Sequence, residues 1–497
     1  MTNISRRSFL QRGAAAAAAL SIVPGSVLGK SQGFTAPSDK LNIAAVGIGG
    51  MGNSNLKNME KTDNIVALCD VDWKYAKPVF ERLSNAKRYW DYRKMFDEMG
   101  KSIDAVLVAT ADHTHAIIAS EALTMGKHVY CQKPLTHSVY ESRLLTKLAA
   151  EYKVATQMGN QGSSGEGVNL VCEAIWNGDI GEVTKVEAAT NRPIWPQGLN
   201  APEKADKIPS TLNWDLFTGP AKMRPFNHAY HPWNWRGWWD YGTGALGDMA
   251  CHILHPVFAA LKLGYPIKVQ GSSTLLLKDC APTAQHVKLV FPARDNMPKV
   301  AMPQVEVHWY DGGMMPDRPE GFPQGKELMQ KGGGLVIFHG TKDTLICGCY
   351  GVEPWLLSGR PLSAPKVCRR IPAPEAMEGG HEQDWIRACK ESPENRVMTK
   401  SDFSMAGPFN EMVVMGVLAV RLQTLNKELY WDGPNMRFTN IGDDEMIKIV
   451  LKDNFHIVDG DPKFDMIYTD PVNAQQFASE LIKHNYRDGW KLPDMPR

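Results

Sequence analysis

The sequence predicts an α/β protein with a doubly wound parallel sheet over residues 40–158 and a second domain over 159–497. Three observations carry this. Short apolar runs alternate with helical stretches from Leu41 to Gln157. A glycine-rich turn joins the first apolar run to the first helix. The chain has 497 residues, more than the roughly 250–300 that one core sustains.

Leu41 to Val46 is the first strand, closed by Gly47-Ile48-Gly49-Gly50-Met51-Gly52, and a helical stretch follows to about Met59. Ile65 to Cys69 is the second strand, ending at Asp70. Trp73 to Leu83 reads as a helix that Pro78 breaks or kinks. Ala105 to Ala109 is a strand, and Thr114 to Met125 is a helix stopped by Gly126. His128 to Cys131 is a strand, Ser138 to Glu151 a helix, and Val154 to Gln157 a strand. Apolar strands this short, spaced by helices, belong to a parallel sheet covered on both faces. Further on, 311–334 reads as a Gly- and Pro-rich insertion, Leu335 to Cys349 as sheet, and the chain from Asn454 as loops plus a helix, Ala474 to His484.

Ahead of the first strand, Arg6-Arg7 precedes Phe9-Leu10 and a short alanine-rich apolar run. This resembles a twin-arginine export signal over residues 1–29, followed by a linker over 30–39. A periplasmic location is expected, with no membrane span in the mature form. Loss of residues 1–29 takes the formal charge from +1 to −2, so neither form suits a nucleic-acid partner. Nine cysteines in this length are too sparse for a disulfide framework. Cys69 and Cys131 read as buried hydrophobes and Cys347-Gly-Cys349 as strand residues.

Gly47, Gly49 and Gly52 match G-x-G-x-x-G. The first allows a tight turn, the second lets backbone approach a pyrophosphate, and the third lets helix pack on strand. The helix that follows offers free N–H groups to phosphates. Gly50 and Met51 lie in the same loop. Asp70 follows at the end of the next strand, placed to accept from ribose hydroxyls and to repel a 2′-phosphate. NAD is therefore expected rather than NADP.

Lys133 follows the strand His128 to Cys131, between Gln132 and Pro134. Ligands of such sheets bind beyond the carboxyl ends of the strands. Asp248 and His252 are four residues apart and share one helix face. A histidine can accept the proton of a carbinol, and an acid beside it can orient it or bind substrate. His255 is a backup base, a substrate contact or a core residue. Asp248, His252, His255, His228 and His231 include metal-ligand types, but no ligand spacing converges among them, and no metal is expected.

These motifs occur in one order, together with Thr110-Ala111-Asp112-His113-Thr114-His115. In that order they resemble the Gfo/Idh/MocA family of NAD(P)-dependent sugar and cyclitol oxidoreductases. Stretches such as 191–197 and 230–239 are similar to its exported bacterial members. The resemblance implies an N-terminal Rossmann domain and a C-terminal α/β domain with a large open, mostly antiparallel sheet. That sheet is the expected contact of a homo-oligomer, a dimer or tetramer. Lys133, His252 and Asp248 match the family's catalytic lysine, acid/base histidine and substrate-binding aspartate. Thr110, Asp112, His115 and Asn160, with Gln161 beside it, match loops next to the cofactor. Gln132 stands where the family has Glu, which removes a carboxylate that would stabilise the charged lysine. His381, in Gly379-Gly380-His381, matches a histidine that can approach the pocket.

Arg192, Trp195, Tyr230, His231 and Arg236 lie in two aromatic-rich stretches and are candidate contacts for a sugar. Aromatic rings stack on sugar C–H faces, but tryptophan also dominates ordinary cores, so these residues divide between site and core. The expected partner is a small carbohydrate, oxidised by tightly held NAD. A glycosidase using transient oxidation, a non-catalytic sugar-binding protein and a metal-dependent enzyme are the alternatives.

Overall fold

The computed structural model describes residues 39–297, 299–363, 365–372 and 378–496. The expected export segment and all of the linker but Asp39 lie outside them.

The first layer alternates β1 (Asn42–Val46), α1 (Gly50–Met59), β2 (Asn64–Cys69), α2 (Trp73–Arg82), β3 (Lys87–Tyr89), α3 (Tyr92–Met99), β4 (Ala105–Val108), α4 (Asp112–Thr124), β5 (His128–Cys131), α5 (Val139–Tyr152) and β6 (Thr156–Met158). The six strands form one sheet in the order β3-β2-β1-β4-β5-β6. Every pairing is parallel. The order reverses between β1 and β4, and that crevice is where ligands of such sheets bind. Two caps fix the helix starts. Asp72 accepts from the Lys74 and Tyr75 N–H groups at α2, and Ser138 with Glu141 forms a capping box at α5. Of the expected break or kink at Pro78, the break does not occur: α2 runs through it. Helix α4 begins two residues earlier than expected, at Asp112. Strand β3 and helix α3 have no counterpart in the sequence reading.

The second layer begins with α6 (Glu166–Asn177), β7 (Val183–Thr190), α7 (Trp214–Thr218), α8 (Gly244–Ile253) and α9 (His255–Ala260). Strands β8 (Lys268–Ser273), β9 (Gln285–Phe291), β10 (Val305–Tyr310), β11 (Gly334–Gly340), β12 (Thr344–Cys347) and β13 (Trp355–Leu356) follow. Then come α10 (Gly380–Cys389), α11 (Phe403–Arg421), β14 (Leu429–Asp432) and β15 (Arg437–Phe438). A nine-stranded sheet has the order β13-β12-β11-β7-β10-β9-β8-β14-β15. It is antiparallel except where β10 meets β7, as the resemblance implied. Cys347 ends β12, but Cys349 lies in a tight helical turn rather than a strand. Three two-stranded ribbons start from residue 446 onward and run into the stretch from Asn454 expected to be loops, before α12 (Ala474–Ile482).

Helix α11 ties the layers together. It packs on α5 of the first and on α8, β8 and β9 of the second. By length and hydropathy it could cross a membrane, which corrects the expectation that no stretch of the mature chain approaches membrane length, yet most of it is buried inside the protein. Helix α10 crosses back to cover the Rossmann sheet, where Trp385 and Ile386 join a core with Ile43, Leu56 and Leu68.

Candidate active site

One cleft runs along the carboxyl ends of β1 to β5 and is lined by residues of both layers. After β1 the chain turns at Gly47 with φ of +78°. A Cβ there would lie 2.5 Å from the Ala109 carbonyl oxygen, and one at Gly52 would lie 2.1 Å from the Gly47 oxygen. Only glycine lets the loop close on β4 and α1 close on the loop. Gly49 is the N-cap of α1, where no side chain caps and no acid stands in the first turn. The first N–H groups and the positive end of the helix dipole therefore face the cleft, beside Gly50 and Met51. Asp70 accepts from the Ile48 N–H at 2.8 Å and the Asp72 N–H at 2.9 Å. Burial raises its pKa and these donors oppose the rise. Its oxygens have further lone pairs for a ribose. An uncapped helix start behind a glycine loop, with a carboxylate one strand away, fits a dinucleotide.

Thr110 and Gln132 also line the cleft. The Gln132 amide donates to Asn55 Oδ1 at 2.9 Å, which fixes the residue before Lys133. Asn160 Nδ2 reaches the Cys251 carbonyl at 3.4 Å, and its buried Oδ1 has no protein partner. A buried amide oxygen in that condition calls for a ligand or water.

At the β5 end, Lys133 Nζ lies 2.7 Å from Asp248 Oδ1 and 3.1 Å from the Asp248 carbonyl oxygen. The side chains are 14% and 15% exposed, so the pair is shielded but reachable. Asp248 supplies the carboxylate that Gln132 lacks. Burial would raise the Asp248 pKa, but Lys133 and Arg236 overcome it and hold the carboxyl down at about 2. Arg236 Nε approaches Asp248 Oδ1 at 3.4 Å. Its guanidinium lies over the rings of Trp235 and Trp233, at 4.4 and 5.2 Å. His252 is one helical turn beyond Asp248 on α8. Burial, then the Lys133 charge, lowers its pKa to about 3, so it stands as a neutral base. Its Nδ1 has no partner, and the Tyr350 ring meets it edge-on at 4.9 Å. His231 lines the cleft and joins the layers, its Nε2 lying 2.9 Å from Asp72 Oδ2.

Other expected site residues fall elsewhere. Asp112 is buried and accepts from the Thr243 N–H and hydroxyl, so it joins α4 to the start of α8, and it does not line the cleft. Burial pushes its pKa up to about 7. His115 lies in the core, its ring nitrogens against the carbonyls of Pro134 and Thr110. Tyr230 is core, packed against Trp214, Trp238 and Tyr241. His255 is also core: both ring nitrogens lack partners, and the ring packs against Phe409. Trp195 sits behind the exposed Trp233, its indole bonded to Gln197. Arg192 bonds to Asn191 and does not line the cleft, though its charge reaches Tyr350. His381 is committed to Ser164 and to the Met158 carbonyl. His228 faces Asp206. Among the described residues no cluster of three or more His, Cys, Asp or Glu side chains could hold a metal.

Three residues were not legible in the motifs. Tyr75 lays its ring on Gly49, with its hydroxyl close to Gly50. Tyr350, at φ of +63°, sits between Gly162 and His252. Asn410, a lone amide in apolar α11, accepts from the Leu135 N–H at 3.0 Å and donates to Thr136 and Ser142, which holds the loop that carries Lys133.

Residues 41–160 match a profile described as an oxidoreductase family with an NAD-binding Rossmann fold. Residues 183–292 match that family's C-terminal alpha/beta domain. Over 147 residues the chain is 27% identical to the inositol 2-dehydrogenase of Salmonella paratyphi B, covering 29% of this chain and 43% of that one. Over 164 residues it is 26% identical to the levoglucosan dehydrogenase of Pseudarthrobacter phenanthrenivorans, covering 33% and 34%. Over 169 residues it is 27% identical to glycosyl hydrolase family 109 protein 1 of Akkermansia muciniphila, covering 32% and 35%. The matches thus span less than half the length of these relatives. Among solved structures, the WlbA dehydrogenase of Bordetella pertussis, in complex with NADH and UDP-GlcNAcA, aligns with a TM-score of 0.54 over 79% of this chain and 98% of that one, at 16% identity. An inositol dehydrogenase homologue of Azotobacter vinelandii, complexed with NADH and myo-inositol, aligns with a TM-score of 0.51 over 77% and 96%, also at 16% identity. Identity this low speaks for the fold alone.

Proposed function

We propose that this protein reversibly oxidises a carbinol carbon of a sugar, glycoside or cyclitol with NAD, a reading supported by the match of two stretches to the models of the two domains of the Gfo/Idh/MocA oxidoreductase family. One observation carries the reading. A lysine paired with a carboxylate lines the β5 end of a cleft whose other end fits a dinucleotide, and a neutral buried histidine stands one helical turn along from that carboxylate.

The glycine loop, the start of α1 and Asp70 would hold the cofactor's pyrophosphate and ribose. When bound, the nicotinamide supplies the hydride acceptor. The chain's own residues manage the proton. Two of the three Lys133 donors go to Asp248, which leaves the third for the substrate hydroxyl. His252 takes the hydroxyl proton, and its depressed basicity favours returning that proton in the reverse direction. Asp248 holds Lys133 in place. Trp233 and Arg236 form the substrate side of the mouth.

Asp70 supports NAD over NADP, since a carboxylate opposes a 2′-phosphate. The resemblance of residues 1–29 to a twin-arginine signal supports a periplasmic location, where a non-exchanging cofactor would meet the scarcity of free NAD. The nine-stranded sheet is the element proposed for homo-oligomer contact. Similarity to the glycosyl hydrolase relative keeps one second reading, transient oxidation that releases an aglycone.

Lys133→Met and His252→Asn test the assignment. Each should lower kcat for sugar oxidation about a hundredfold or more, with NAD affinity changed far less. Activity near that of the unaltered protein in both variants would reject it. Aglycone release without net NADH would select the second reading.

A further inference from the structure

We propose that the C-terminal strap, residues 486–490, forms the adenine-side wall of the cleft, with Trp490 the ring on which adenine stacks. The proposal rests on the dinucleotide reading above and extends it to a segment outside both matched stretches.

Strand order sets the direction of the cleft. From β1, the sheet continues through β4 and β5 on one side, and through β2 to β3 on the other. Lys133 follows β5, which puts the reacting end there. Asp70 follows β2, so the ribose that it would hold lies on the other side, and the base belongs beyond it toward β3. Trp490 lines the cleft together with Trp90, Asp91 and Tyr92, which directly follow β3.

The strap is anchored at several points. Tyr486 Oη donates to Glu141 Oε1 at 2.7 Å. Arg487 bonds to the Asp215 carboxylate at 2.7 Å and to the Asp215 carbonyl at 2.8 Å. The Trp490 N–H closes a turn on the Arg487 carbonyl at 3.1 Å. The Arg93 guanidinium lies 4.4 Å from the Trp490 ring centroid, a cation–π contact that orients the ring. A flat ring held on one side of a cleft, one strand beyond a ribose-binding carboxylate, matches the flat base of an adenine nucleotide. Stacking on such a ring is sensitive to its removal and tolerant of another aromatic.

The test compares full-length protein with Trp490→Ala and Trp490→Phe. Binding of NAD and of nicotinamide mononucleotide, which lacks the adenine half, is measured by calorimetry after bound dinucleotide is removed. The proposal expects Trp490→Ala to weaken NAD about tenfold, to leave the mononucleotide unchanged, and to be largely rescued in Trp490→Phe. Unchanged NAD affinity in Trp490→Ala would overturn it. So would an equal loss for both ligands, since that reports a disturbed fold. Unaltered protein that binds neither ligand would instead overturn the dinucleotide reading, and the strap with it.

Discussion

Asp112 shows how a residue at the edge of a site can act through the fold. It is buried, bonded to Thr243, and titrates near 7 rather than near 4. Between those values the folded protein holds a proton that the unfolded chain has lost. Its contribution to stability is therefore full below about pH 4 and is lost as pH rises through about 7. Asp112→Asn keeps an acceptor for Thr243 and removes the charge. Urea unfolding at pH 5 and pH 8 should show a smaller fall in stability for this variant than for the unaltered protein, and equal falls would contradict the account. The same scale explains which candidate residues were legible. Lys133, Asp248 and His252 stand at fixed offsets from a strand end or along one helix. Tyr230 and His255 are residue types as apt for a sugar as for a core, and only packing puts them in the core. Tyr350 has no local pattern, because its contact with His252 joins segments about a hundred residues apart.

At the scale of elements, the glycine loop is the most constrained piece of the cleft. Gly52→Ala would drive a methyl group into the Gly47 carbonyl. It should cost about 1–3 kcal/mol in unfolding free energy and weaken NAD. Gly264→Ala is the control, since a Cβ there meets nothing within 4 Å. Thermal melts of both variants check this, and equal melting temperatures would count against the tight-loop account. The apolar strands β1, β2, β4 and β5 were legible because burial on both faces gives continuous apolar runs. Strand β3 was not, because Lys87, Arg88 and Tyr89 form a short polar strand at the sheet edge. Pro78 misled for a different reason: the cap at Asp72 and the buried face of Ala76, Val79 and Phe80 sustain α2 through it.

At the scale of the molecule, the two layers are locked rather than merely linked. Arg143 on α5 forms a two-pronged ion pair with Glu411 on α11. One residue away, Asn410 satisfies the backbone behind Lys133. Asn410→Ala would leave the Leu135 N–H buried without an acceptor, at about 1–3 kcal/mol, and would loosen Lys133. Urea unfolding and kcat should fall together in this variant; a stability loss with kcat intact would show that α11 does not position the lysine. These long-range ties, like the return of α10 to the first sheet, leave no mark in local periodicity.

The most direct test of the central claim is to purify the full chain without added cofactor, denature it, and identify any dinucleotide released. Intact protein is then supplied with NAD and a panel of sugars, glycosides and cyclitols while the reduced-nicotinamide absorbance band is followed. The account predicts NAD in the protein and its reduction by one class of these compounds. A protein that neither carries nor binds a dinucleotide, or that never reduces one with any carbinol substrate, would contradict it.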